Sequence, residues 1–197
     1  MKRFLVGKRI SLHGLSPRDI EEGAPYFSWL DDLANDEFTE RSRLPNTPSR
    51  MKSYFEKANS PNGDLVFLGI YDNETGKHIG NISYKNINWS CRRGWLGYLV
   101  GDPDFRGKGI AADAILMFML YGFNKLNFNR IFTTVSAPNE ASRRLAEKSG
   151  LKEEGMMRGH ILTGGRQLDV YMYGVLRDEW LESHADAARE IYESAPF

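Results

Sequence analysis

The sequence predicts an α/β (α+β) fold, a central mixed but mostly antiparallel twisted sheet of about seven strands flanked by about four helices, with an extra C-terminal helix. Three observations predict it. Residues 65–71, 78–87 and 95–100 are strand-like runs divided by turn residues, which makes an antiparallel meander. Residues 110–126 are apolar nearly all round in helical spacing, then come a β-branched run at 130–136 and a second helix at 140–149. That β-α-β-α succession requires parallel pairing at one point of the sheet. Finally, residues 151–162 and 168–176 are extended stretches joined by a glycine turn at Gly164-Gly165.

A chain of 197 residues is long enough for one domain with a proper core and short for two, so one domain is expected over 1–197, with 178–197 as a C-terminal helical extension. Lys+Arg and Asp+Glu both number 26, which gives no general attraction to nucleic acid or to an anionic membrane, and neither is expected as a partner. Cys91 is the only cysteine and the four histidines show no ligand spacing, so no disulfide and no metal are expected. The amino terminus has an apolar run of only three residues before Gly7, too short for a signal peptide, and the expected compartment is the cytoplasm.

Taken in order, Ile10 and Leu12 alternate with polar neighbours as a first strand. Ser16-Pro17 with Asp19 starts a helix carrying Ile20, Tyr26, Phe27, Trp29 and Leu30, which Pro25 breaks or divides. Residues 31–45 lack clean periodicity and read as a mobile surface segment. Thr47-Pro48 caps a helix that runs to Ala58. Gly80 and Gly97 interrupt strand patterns, where glycine marks a bulge or a close approach. Asn139 caps the helix at 140–149, and Gly150 ends it. The last helix presents Trp180, Leu181, Ala187 and Ile191 on one side, to pack on the domain or on a second copy in a homodimer.

The stretch able to do chemistry is Arg106-Gly-Lys-Gly-Ile-Ala111, where a strand runs through a glycine-spaced turn into the apolar helix. A helix start leaves backbone N–H groups unpaired at the positive end of the dipole, and it is a ready anion site. Gly107 and Gly109 allow positive φ and close approach, and Arg106 and Lys108 add charge. Charged hydrogen bonds contribute about 1.5–3 kcal/mol each, so several together would hold a pyrophosphate. The dinucleotide fingerprint is excluded because its third glycine is Ala112, and the P-loop pattern is absent.

Read from Arg106, the loop resembles motif A of the GNAT superfamily of acyl-CoA N-acyltransferases, Gln/Arg-x-x-Gly-x-Gly/Ala, which binds the pyrophosphate of coenzyme A. The landmarks that follow are similar too: Asn139-Glu-Ala-Ser142, Lys148-Ser-Gly-Leu151 leading to Glu154-Gly155, then Asp169, Tyr173 and Leu176-Arg-Asp-Glu-Trp180. They resemble the branch holding ribosomal-protein-alanine and amino-sugar N-acetyltransferases. The resemblance covers about residues 10–180. It implies the GNAT fold, acetyl-CoA as cosubstrate, and a cofactor site of Leu99, Val100, Arg106, Gly107, Lys108, Gly109, Ile110, Ala111, Asn139 and Ser142, with the pantetheine arm along residues 97–101 and Tyr98 beside the thioester.

Many members place a thiolate-protonating tyrosine where this chain has Ala146, which cannot donate; the ribosomal branch implies Ser142 instead. Direct attack by an amine is expected, because Cys91 has no histidine nearby in sequence to activate it. A proton must leave the amine, and Glu153, Glu154, His160 and Asp169 are the candidates, directly or through water, with His160 favoured by family analogy and by its reference pKa of about 6.5. The catalytic set is therefore Ser142, His160 and Glu154.

The acceptor is a small-molecule amine or a protein N-terminus. An amino sugar, nucleotide-linked, is favoured by neutrality, by Ile79-Gly-Asn-Ile82 with Ile87-Asn-Trp89, and by His160, which resemble amino-sugar members. A basic ribosomal protein would instead want an acidic groove, for which Asp31, Asp32, Asp36 and Glu37 are available. A non-catalytic module that binds coenzyme A is the third reading, left open by Ala146.

Overall fold

A computed structural model describes residues 4–31, 45–58, 60 and 63–192, the side chain of Asp31 excepted. Its strands are β1 (Leu5–Val6), β2 (Ile10–His13), β3 (Val66–Asp72), β4 (His78–Asn88), β5 (Arg93–Val100), β6 (Arg130–Ser136), β7 (Lys152–Thr163) and β8 (Arg166–Leu176). Its helices are α1 (Pro25–Asp31), α2 (Pro48–Ala58), α3 (Ile110–Asn124), α4 (Glu140–Lys148) and α5 (Arg177–Ile191). The eight strands form one sheet in the order β1-β2-β3-β4-β5-β6-β8-β7. Every neighbouring pair is antiparallel except β5 and β6, where the β-α-β succession demanded a parallel pair.

The eighth strand is β1, absent from the sequence reading. It is two residues long, too short to show alternation, and exists because Gly7 N donates to Ile10 O at 2.9 Å and pairs Leu5 with Leu12. Pro25 divides the first helical stretch as expected: Pro17–Ile20 is a 3₁₀ turn fastened by the Asp19 carboxylate, which accepts from Ser16 N at 2.6 Å, and Pro25 opens α1. Thr47 Oγ1 accepts from Arg50 N at 3.3 Å at the start of α2. The expected surface segment at 31–45 lies almost wholly outside the described residues.

The core lies between the sheet and α3. Ala114, Met117, Phe118, Met119, Leu120 and Phe123 are fully buried, which is why the helix is apolar nearly all round. Tyr84 of β4 stacks on Phe118 with ring centres 4.2 Å apart and gives its hydroxyl hydrogen to Phe118 O at 2.9 Å. α5 lies on α3 and completes this layer through Trp180, Ala185 and Ala188. Ala187 is exposed, against expectation: the buried face of α5 carries Ala185 and Ala188, and Ala187 lies about 100° from Ala188 around the helix, at an edge from which only a side chain as long as Trp180 reaches the core. α1 and α2 cover the other face of β3 and β4 with a smaller cluster of Leu15, Tyr26, Phe27, Met51 and Tyr71.

Candidate active site

The site begins where β5 leaves β6. The two strands pair only at Arg93–Trp95 with Arg130–Phe132, and beyond that they diverge. Divergence opens a slot of about 220 Å³ lined by residues 95–100 on one side and by residues 133–136, Asn139, Ser142 and Ala146 on the other. Thr133 Oγ1 donates to Leu96 O at 2.8 Å and closes the inner end. Beyond it, main-chain amides of β5 face the slot without a ladder partner on that side, the arrangement an extended amide-bearing arm would pair with.

At the outer end of β5 the chain turns through Pro103–Phe105 and the glycine-spaced loop into α3. Gly107 and Gly109 take φ of +72° and +80°, as their positions required, and Gly109 is the N-cap of α3 with no side chain to cap it. The first amides of the helix are therefore available to an anion, and the Cβ direction of Gly107 opens on empty space. Arg106 does something the sequence does not show: its Nε and Nη2 donate to Val100 O and Gly101 O at 3.0 and 2.9 Å, so its charge is delivered at the mouth of the slot while it braces the strand end. Lys108 Nζ lies over the Phe105 ring at 5.8 Å. Ile110 is buried under the turn, and Ala111 follows it half-buried.

Arg9, missed in the sequence, holds the turn from below. It donates Nε to Asp113 Oδ2 at 2.8 Å and Nη1 to Lys108 O at 3.0 Å. The partners are 104 and 99 residues away, so no local pattern carries the signal.

Across the slot, Asn139 Oδ1 accepts from Ser142 N at 3.1 Å and caps α4, which fixes Ser142 on the first turn facing β5. The Tyr98 hydroxyl donates to Ser142 Oγ at 3.0 Å. Burial pushes the Tyr98 pKa up, so it remains a phenol and keeps the hydrogen with which it donates to Ser142. Ala146 lies in the same lining, with no group to donate.

The other two expected catalytic residues stand elsewhere. Glu154 lines neither this slot nor the cavity described below; it forms a two-pronged ion pair with Arg130, one bond Nη1 to Oε1 at 2.6 Å and the other Nη2 to Oε2, packed over Gly174. The hydrogen bonds from Arg130 hold its pKa below the usual carboxylate range, the reverse of what a proton acceptor for an amine needs. His160 is exposed on β7, the edge strand, within a register shift between Met157 and Ile161. Asp169 Oδ1 accepts from Gly159 N at 2.8 Å and ties β8 to β7, while Glu153 of β7 approaches Arg143 of α4.

A second cavity, about 240 Å³, lies on the opposite side of residues 97–99, between α1, α2 and the face of β4 that carries Asn81, Ser83 and Lys85. Arg50, Tyr54 and Phe67 complete much of its wall. Among the described residues lining it there is no carboxylate and no imidazole. Gly97, Tyr98 and Leu99 border both spaces, so one short piece of strand is the partition between them. The sequence did carry a signal for this wall: Asn81, Ser83 and Lys85 recur at every second position of a strand whose other face, Ile82 and Tyr84, is apolar and buried. Polar alternation on a sheet covered on both faces marks a cavity.

Comparison with known proteins places this geometry. Residues 9–152 match the family described as Acetyltransferase (GNAT) domain. The putative ribosomal N-acetyltransferase YdaF of Bacillus subtilis (strain 168) is 29% identical over 183 residues, 89% of this chain and 95% of that protein. The spermidine N(1)-acetyltransferase of Escherichia coli (strain K12) is 26% identical over 153 residues, 72% of this chain and 82% of that protein. In fold, the spermidine N-acetyltransferase from Vibrio cholerae, solved in complex with CoA and spermine, superposes with a TM-score of 0.77 at 21% identity, covering 88% of this chain and 98% of the other. The chain belongs to the GNAT family of N-acetyltransferases, whose acyl donor is acetyl-CoA.

Proposed function

We propose that this N-acetyltransferase acetylates the primary amine of an amino sugar, nucleotide-linked in its complete form, by direct attack on the thioester. The observation that carries the reading is the pair of cavities meeting at residues 97–99. A donor in the slot and an acceptor in the second cavity meet across one strand, and holding two reactants in register is worth effective molarities of about 10⁵ M or more. The second cavity suits a sugar ring, with Asn81 and Ser83 for hydroxyls and the cations Arg50 and Lys85 for a phosphate.

The residues of the slot fit the donor: positive-φ glycines and unpaired amides for its diphosphate, and unpaired strand amides for its arm. Bound there, the thioester supplies an activated acetyl group and leaves as a thiol. In this reading Ser142, hydrogen-bonded by Tyr98, passes a proton to the departing sulfur and recovers one from solvent, so that the thiol leaves and the serine is restored. No base stands among the described residues of the acceptor wall, so the amine loses its proton to solvent.

A protein N-terminus is the second reading, and the relative named as a ribosomal acetyltransferase favours it. The acidic residues that would guide a basic protein, from Asp31 to Glu37, fall outside the described side chains.

Calorimetry with acetyl-CoA and steady-state kinetics with glucosamine test the donor half. Gly109→Ala puts an alanine at φ +80° with its Cβ 3.2 Å from Arg9 Nη2, a strain of about 1–2 kcal/mol that should weaken acetyl-CoA binding about tenfold and leave KM for the amine within about twofold. Equal effects on both substrates would reject the assignment of the turn.

A further inference from the structure

Asn81 is 3% exposed, lies in the wall of the acceptor cavity, and its Nδ2 has no hydrogen-bond partner among the described residues. A buried amide N–H without a partner costs about 1–3 kcal/mol, so such a group calls for a physical reason, a catalytic or binding role among them. Its orientation is fixed by a neighbour. His78 Nε2 lies 2.9 Å from Gly80 O and 2.9 Å from Asn81 Oδ1. The Gly80 carbonyl only accepts, so Nε2 carries the hydrogen, and the atom of Asn81 facing it must then be the oxygen. The amide cannot turn over without setting N–H against N–H.

His78 is itself clamped. Its ring stacks on Tyr71 at 4.8 Å and meets the edge of Trp29 at 5.2 Å. Burial lowers its pKa, so it stays neutral and keeps the Nε2–H form. The Oδ1 end of Asn81 is thereby fixed against His78, and Nδ2 is left as the unpaired end of a side chain in the cavity wall. Asn81 pairs in register with Leu99, so its backbone stands one strand spacing, about 4.8 Å, from the partition between the two cavities.

We propose that the Asn81 amide, positioned by His78, is the specificity determinant for the acceptor: it donates to an oxygen on the carbon next to the reacting amine, as in a 2-amino sugar. The inference rests on the acetyltransferase reading of the two cavities and extends it to a substrate class. A second argument agrees. A polyamine or alkylamine nitrogen titrates near 10.4, and about one molecule in a thousand is neutral at physiological pH; an amine beside an electron-withdrawing group titrates nearer 8, and about a fifth is neutral. A cavity whose described wall offers no base works with the second kind.

The test compares full-length wild type with Asn81→Ala and Asn81→Asp, using glucosamine and cyclohexylamine, six-membered-ring amines with and without the neighbouring oxygen, each kcat/KM being expressed per neutral amine so that the difference in protonation drops out. Asn81→Asp keeps the bond from His78 and loses the donor. Expected are a fall of tenfold or more in kcat/KM for glucosamine in both variants, loss of the glucosamine saturation-transfer NMR signal, cyclohexylamine turnover within about twofold, and unchanged acetyl-CoA affinity by calorimetry. An equal fall for both amines, no fall, or wild-type preference for spermidine or alaninamide overturns the proposal. So does a wild type that acetylates neither ring amine. In each case retained acetyl-CoA binding leaves the acetyltransferase reading standing, whereas failure to bind acetyl-CoA removes that reading itself.

Discussion

At the scale of single residues, the partition between the cavities depends on a tyrosine whose work is done through its neighbour. Tyr98 holds Ser142 by one hydrogen bond of 3.0 Å, worth about 1 kcal/mol when lost, so Tyr98→Phe should lower kcat about fivefold with little change in the affinity for acetyl-CoA. Ser142→Ala removes the donor itself and should lower kcat by about 10². Because both act at the same proton, the double variant should be no slower than Ser142→Ala alone; additive losses in the rapid thiol-release assay would separate the two residues and discard the pair. Ser142 was named from a resemblance alone, whereas Asn139 was legible as a helix cap. The hydrogen-bond partner of Ser142, Tyr98, lies 44 residues away on β5. Sequence spacing cannot show such a bond. Glu154 illustrates the opposite error: a carboxylate beside a motif glycine reads as chemistry until its partner Arg130, 24 residues distant, is seen to occupy both oxygens.

Among elements, the position of β5 decides whether there are two cavities or none. On one side it is released by β6 after Trp95, and on the other it is drawn against β4, where a Cβ on Gly80 would lie 2.3 Å from Leu99 O. That neighbour is backbone and cannot rotate away. Gly80→Ala must therefore push Leu99 outward, and the expected result is a loss of about 1–3 kcal/mol in stability together with at least a tenfold fall in kcat/KM. Chemical denaturation read beside kinetics checks this; a destabilised protein with unchanged kcat/KM would show that the partition tolerates displacement. The glycine inside a strand pattern had announced a bulge or a close approach, and both occur here, since the register of β3 on β4 also shifts between Ile70 and Tyr71. What the pattern could not give was the identity of the group approaching. The meander, α3 and the β-α-β crossing were read correctly because periodicity runs through each over many residues, while β1 and the exposed Ala187 escaped because two residues, or one methyl, carry no period.

For the whole molecule, the question is whether the last helix is an appendage. The family match ends at residue 152, yet β8 lies inside the sheet between β6 and β7, and α5 caps the core helix. Trp180 is fully buried, packs on Phe123 with ring centres 5.3 Å apart, and donates Nε1–H to Ser149 O at 2.8 Å at the end of α4. Lys8 N donates to Ile191 O at 2.8 Å, and the Tyr192 hydroxyl donates to Met117 O at 2.7 Å, so the far end of α5 is tied to both the first hairpin and α3. These contacts predict that residues 178–192 unfold as one cooperative unit with the slot between β5 and α4, because α4, which carries Ser142, is anchored at its other end by Trp180. Trp180→Ala should cost about 3–5 kcal/mol, a fall of roughly 6–20 °C in Tm for a chain of this size, with far-ultraviolet circular dichroism and tryptophan fluorescence moving together in one transition. Trp180→Phe, which keeps a ring in the core and loses only the bond to Ser149, should cost less than half as much. An independent, early transition confined to the C-terminal helix, or acetyl-CoA binding that survives removal of every residue after Leu176, would mean that the extension is a separate body resting on a complete domain.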